Sequence, residues 1–155
     1  MATVVVGVDG SSSARAALEF AAGEAALHRA RLLIVCAWEI PPSIYDWDGV
    51  LDQATVDALR ESAENEAKDA FDVAKTLQPG LECEARIAEG HAAEVLLGES
   101  GGAAMIVVGN RGRGGFASLL LGSVSQQVVS HAFCPVTVVH HSAAGQSEAR
   151  EGGGS

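Results

Sequence analysis

Ala103-Ala-Met-Ile-Val-Val108 runs into Gly109-Asn-Arg-Gly112, and nine residues later comes Gly122-Ser-Val-Ser125. The apolar run reads as a buried strand, and Ser123 to His131 reads as a helix. A glycine-rich loop between a strand and a helix can turn backbone N–H groups towards an anion, with the positive helix end behind them. From Gly109 to Ser123 the chain carries Arg111 and Arg113 and no acid, although its net charge is −10. The stretch reads as a phosphate cradle in a strand–loop–helix unit.

Working outward, the same alternation recurs. Thr3-Val-Val-Val-Gly-Val8 is a β-branched run that ends at Asp9-Gly10. Ser11 to Ser13 can cap a helix that reaches about His28, with Ala14, Ala17, Leu18, Ala21, Ala22 and Ala25 on its apolar face. Arg31 to Ala37 is the second strand, and residues 38–50, with Pro41-Pro42, are a loop. A long helix is expected from about Leu51 to Leu77. Val56, Leu59, Ala63, Ala67, Ala70, Ala74 and Leu77 step by three and four along one buried stripe, and Glu64 and Lys68 form an i,i+4 pair on the outer face. Gln78-Pro79-Gly80 stops it.

Glu82 to Ala88 is a weakly alternating third strand, about His91 to Ser100 a short helix, and Cys134 to Val139 the fifth strand. The pattern predicts an α/β fold: a single doubly wound five-stranded parallel sheet with four helices, Rossmann-like, with right-handed crossovers. Ligands in such sheets bind at the carboxyl ends of strands, where Asp9, Ala37 and Gly109 are expected. Residues 1–141 form the domain. Residues 142–155, rich in Ala, Gly, Ser and Glu, are expected to be a disordered tail.

The composition agrees. The 155 residues are 48% hydrophobic and 5% aromatic, so the core is aliphatic. No apolar run approaches a bilayer span and no basic-then-apolar leader opens the chain, from which a soluble cytoplasmic protein is expected. The acidic balance argues against a nucleic-acid or membrane surface. It also requires that a site for an anionic ligand concentrate positive charge locally. Cys36, Cys83 and Cys134 are widely separated and read as reduced core thiols. His131, Cys134, His140 and His141 straddle a helix end and a strand and read as core and surface groups rather than a metal site.

Other phosphate loops fit less well. The lysine loop G-x-x-x-x-G-K-[ST] is excluded because no lysine follows Gly109. Gly112-Arg-Gly114-Gly-Phe-Ala117 matches the dinucleotide pattern on paper, but no acid follows at the distance that holds a ribose. The Arg-Gly-Arg-Gly-Gly run is a single copy on an acidic domain. A tight turn alone explains one or two glycines; it does not easily explain Gly109, Gly112, Gly114, Gly115 and Gly122 together, since each adds chain entropy that folding must overcome.

Gly109-x-x-Gly112, nine residues and Gly122-Ser123 resemble the G-2x-G-9x-G-[ST] signature of the ATP-binding subgroup of the universal stress protein family. Val4-Val-Val-Gly-Val-Asp9-Gly-Ser11, Val35-Cys-Ala-Trp38 and Cys134-Pro-Val-Thr-Val138 resemble its first strand and turn, second strand end and last strand. The resemblance covers about residues 2–141. It implies a Rossmann-like fold of the adenine nucleotide alpha hydrolase-like type and a site for ATP with Mg. By that resemblance Gly7 and Asp9 lie against the nucleoside, with Asp9 the polar contact. Ala37 and Val108 line the adenine pocket, and Gly109, Arg111 and Gly112 wrap the ribose and phosphates. Gly122, Ser123, Val124 and Ser125 offer backbone N–H and hydroxyl groups to phosphate oxygens or Mg. Cys36 departs from the family's frequent histidine, and Ala92 from its frequent proline.

No catalytic base is evident, so any ATP hydrolysis is expected to be slow. The expected role is a stress-response regulator in which ATP occupancy tunes a partner or a dimer, with a slow ATPase and a nucleotide-free dimeric interaction protein as the alternatives. The resemblance implies a homodimer formed through the strand Pro135 to His140, whose unpaired edge would accept a second copy.

Overall fold

The computed structural model describes residues 1–45, 48–112 and 121–141. Arg113, Gly114, Gly115, Ala117 and the 142–155 tail, all singled out above, lie outside the described residues. Thr3–Gly7 forms β1, Ser12–Leu27 α1, Arg31–Trp38 β2, Gln53–Leu77 α2, Cys83–Glu89 β3, Ala92–Glu99 α3, Met105–Gly109 β4, Ser123–His131 α4 and Val136–Val139 β5, with a short 3-10 turn at Pro42–Ile44. The sheet order is β3-β2-β1-β4-β5, and every pair is parallel. The chain starts at the centre, winds outward through β2 to β3, then crosses back to β4 and β5 on the other side. This is the doubly wound sheet that the strand–helix alternation implies.

Period-two alternation along the strands divides the core into two layers. Val4, Val6, Ile34, Cys36 and Val107 pack against α1 and α2. Val5, Leu33, Val35, Ile106 and Val108 pack against α3 and α4. Both faces are apolar, as a parallel sheet covered on both sides requires. The apolar face of α1 is almost entirely alanine. Ala17, Ala21, Ala22 and Ala25 have no exposed surface, and their small side chains bring the helix close to the sheet. Ser11 caps α1, its Oγ accepting from the Ala14 N–H at 3.1 Å.

Several local expectations shift. Leu51 pairs with Tyr45 in an isolated bridge, and Asp52 is the N-cap, so α2 begins at Gln53. The buried stripe ends at Ala74; Leu77, on the last turn, is 46% exposed. Leu59 is half-buried. Glu64 pairs with Arg60, one turn earlier, at 3.5 Å rather than with Lys68; such an exposed pair contributes little. β5 starts at Val136 because Pro135 has no N–H to donate, although its carbonyl accepts from the Ile106 N–H at 2.9 Å. No helix among the described residues is long and apolar enough to cross a membrane.

Candidate functional site

β1 and β4 are neighbours in the sheet, yet the chain leaves them on opposite faces: α1 follows β1 on one, α4 follows the β4 loop on the other. Divergence of this kind opens a crevice at the carboxyl ends of the strands. A cleft of about 230 Å³ lies there. The end of β1 supplies Gly7 and Asp9, β2 supplies Ala37, and β4 supplies Val108 and Gly109. The following loop adds Arg111 and Gly112, and the start of α4 adds Gly122, Ser123, Val124 and Ser125. The fold thus gathers all eleven residues singled out in the sequence around one cleft.

Val8, Ala14, Val35, Ala92 and Leu96 also line the cleft, and the sequence had marked none of them as a site residue. Two of these carried a readable signal. Val35 lies two residues before Ala37 on the same face of β2, and Leu96 one turn after Ala92 on α3. With Val108 they make one side of the cleft apolar. Gly109, Arg111, Gly112 and the α4 start make the other side polar.

Close packing explains some of the glycines. A Cβ on Gly109 would lie 2.7 Å from the Ser13 carbonyl oxygen, main chain that has little freedom to move. One on Gly112 would lie 2.9 Å from Asp9 Oδ2, and one on Gly7 2.8 Å from Leu96 Cδ1. Gly122 differs: its nearest neighbour would be Arg111 Cα at 3.5 Å, an ordinary contact.

Hydrogen bonds decide which donors the site has left. The Gly122 N–H donates to the Asn110 carbonyl at 2.7 Å. The Arg111 N–H donates to Ser13 Oγ at 3.2 Å. The Ser125 hydroxyl is buried and donates to the Gly109 carbonyl at 2.6 Å, so its proton fastens α4 to the loop instead of facing a ligand. Asp9 is held in a turn, Oδ1 accepting from the Ser11 N–H at 2.9 Å. α4 presents the opposite situation. Its N-cap, Gly122, has no side chain to accept a hydrogen bond, so among the described residues the first-turn N–H groups of Ser123, Val124 and Ser125 have no side-chain cap. Orphan N–H groups at the positive end of a helix suit an anion. Arg111 lies on the same wall.

The sequence model of the universal stress protein family matches residues 1–140. A universal stress protein of Thermus aquaticus is 40% identical over 139 residues, covering 88% of this chain and 97% of that protein. One from Mycolicibacterium smegmatis is 35% identical over 144 residues, covering 88% of this chain but 47% of that protein. The chain therefore spans nearly all of the first relative and about half the length of the second. Among solved structures, a universal stress protein in complex with cAMP is 32% identical, with a TM-score of 0.68 over 91% of this chain and 98% of that one. The chain belongs to the universal stress protein family.

Proposed function

We propose that the cleft binds ATP and that its occupancy is a signal, read out by a dimer or by a protein partner in the cytoplasm. The observation that carries the reading is the uncapped start of α4 beside the 109–112 loop, on the polar side of a cleft whose other side is apolar. The apolar side, with Ala37, Val35 and Val108, suits a planar base. The first-turn N–H groups of α4 and the Arg111 side of the wall suit phosphates. In a chain of net charge −10, a polyphosphate gains most from such a local concentration of donors. Support also comes from the related structure that holds cAMP, an adenine nucleotide. Mg would enter with the phosphates and keep several waters. The Ser123 hydroxyl stands at the first position of α4, whereas that of Ser125 is already engaged. A second copy is proposed to dock on the free side of β5.

Two measurements test this. Mass spectrometry of the purified, denatured protein should find adenine nucleotide. Calorimetric titration of nucleotide-free protein should show saturable binding of ATP in the presence of Mg, tighter than that of cAMP. Binding of cAMP without ATP would overturn the choice of ligand. Binding of neither would favour a dimeric interaction protein that keeps only the fold.

A further inference from the structure

Asn110 does not line the cleft, yet it is only 7% exposed and four segments of chain meet on it. Its Oδ1 accepts from the Ser13 hydroxyl at 3.0 Å and from the His141 N–H at 3.2 Å. Its own N–H donates to the Val139 carbonyl at 3.0 Å, and its carbonyl accepts from Gly122 at 2.7 Å. Ser13 Oγ, whose proton goes to Asn110, accepts in turn from the Arg111 N–H. A main-chain N–H can only donate, so the His141 bond fixes which way the amide is turned: oxygen towards Ser13 and His141. One buried side chain therefore joins the start of α1, the loop after β4 and the end of β5. Its carbonyl adds the N-cap of α4.

We propose that Asn110 is the positioning residue of the phosphate cradle, setting the spacing between the 109–112 loop and the start of α4 and tying both to the exit of β5. The proposal rests on the nucleotide reading above. Asn110 works through its neighbours: it directs the Gly122 N–H inward and holds Ser13 where Ser13 anchors Arg111. The donors left for phosphate are then presented at a fixed separation, and such preorganisation favours binding. The apolar side of the cleft is built from β2, β4 and α3 and does not depend on this node. Loss of the node should weaken phosphate binding and spare nucleoside binding.

The test compares Asn110→Ser and Ser13→Ala with the wild type, titrating ATP and adenosine and following amide exchange by NMR. Each variant should lose about tenfold or more in ATP affinity, the scale of one or two buried hydrogen bonds, while adenosine affinity stays within about twofold. The double variant should be little worse than either single one, because both cut the same chain of bonds. Equal losses for ATP and adenosine would reduce Asn110 to a general fold residue and overturn the proposal. So would unchanged ATP affinity. If the wild type binds neither ligand, the nucleotide reading has failed, and the exchange arm decides the node by itself. In Ser13→Ala the His141 amide, which Ser13 does not touch, should exchange faster. An unchanged rate there would overturn the node.

Discussion

Glycines around the cleft stand there for different reasons, and substitution separates them. At Gly109 a methyl group meets the Ser13 main chain at 2.7 Å, so Gly109→Ala forces α1 and the loop apart and should cost about 1–3 kcal/mol. Gly122 has an ordinary backbone, φ −69° and ψ 169°, and room for a methyl. Gly122→Ala should lose less than about 1 kcal/mol while weakening ATP, because the added carbon, 3.6 Å from the Gly112 nitrogen, narrows the gap between α4 and the loop that line the polar side of the cleft. Urea denaturation of both variants checks the order; equal losses would count against it. The cysteines make a separate prediction. Burial pushes the Cys83 and Cys134 thiols above the ordinary thiol range, with Lys75 partly opposing this at Cys83. Raised values leave less thiolate at neutral pH, so iodoacetamide should label the folded protein more slowly than the unfolded chain. The unfolded thiols ionise first as pH rises through their usual value of about 8.5, so this contribution to stability is present below that pH and lost above it. Labelling at pH 7 that is as fast in the folded as in the unfolded protein would refute it.

The two helices that flank the site start differently, and the difference bears on function. α1 is closed by its own Ser11 hydroxyl. α4 begins at a glycine with nothing to offer its first turn. Gly122→Asp would supply a permanent carboxylate, able to accept from the Val124 or Ser125 N–H. It should stabilise the nucleotide-free protein by up to about 1 kcal/mol and abolish ATP binding by occupying the anion's place. Thermal melting with and without ATP reads both effects; a variant that still gains stability from ATP would show that the phosphates lie elsewhere. The strand runs and the glycines at 109 and 112 were legible in sequence because they reflect local periodicity and the need for glycine in close packing. The lining by Asp9, Ala37 and Gly109 followed from their places at strand ends, and that by Gly7 from the family resemblance. What stayed hidden depends on tertiary contact. The Ser13–Asn110 bond joins residues 97 positions apart, and no local pattern encodes it. The Ser125 hydroxyl looked free for a ligand only because its acceptor, the Gly109 carbonyl, lies across the loop. Leu77 fits the apolar stripe of α2 by spacing, but at the helix end there is no longer a core to cover it.

At the scale of the whole molecule, the sheet order leaves two edges, β3 and β5, and they differ. β3 sits beyond β2, remote from the β4 loop, whereas the exit of β5 is bonded to Asn110. The β4 ladder shows which β5 groups face outward. The carbonyls of Pro135 and Val139 accept from Ile106 and Asn110 of the β4 segment, so the main-chain groups of odd-numbered residues point to β4. The two-residue period directs those of Val136 and Val138 away from it. An edge of this kind can pair with a second copy across a twofold axis. Val138→Pro tests that pairing with little harm to the fold, because it deletes an outward N–H and proline is tolerated on an edge strand whose N–H faces solvent. Sedimentation should find the wild type dimeric and Val138→Pro monomeric, with ATP affinity within about threefold of wild type, as expected for independent sites. A variant that remains dimeric would place the interface on another surface. A monomeric variant that has also lost ATP would mean that the exit of β5 and the cradle act as one unit, as the bonds meeting at Asn110 allow.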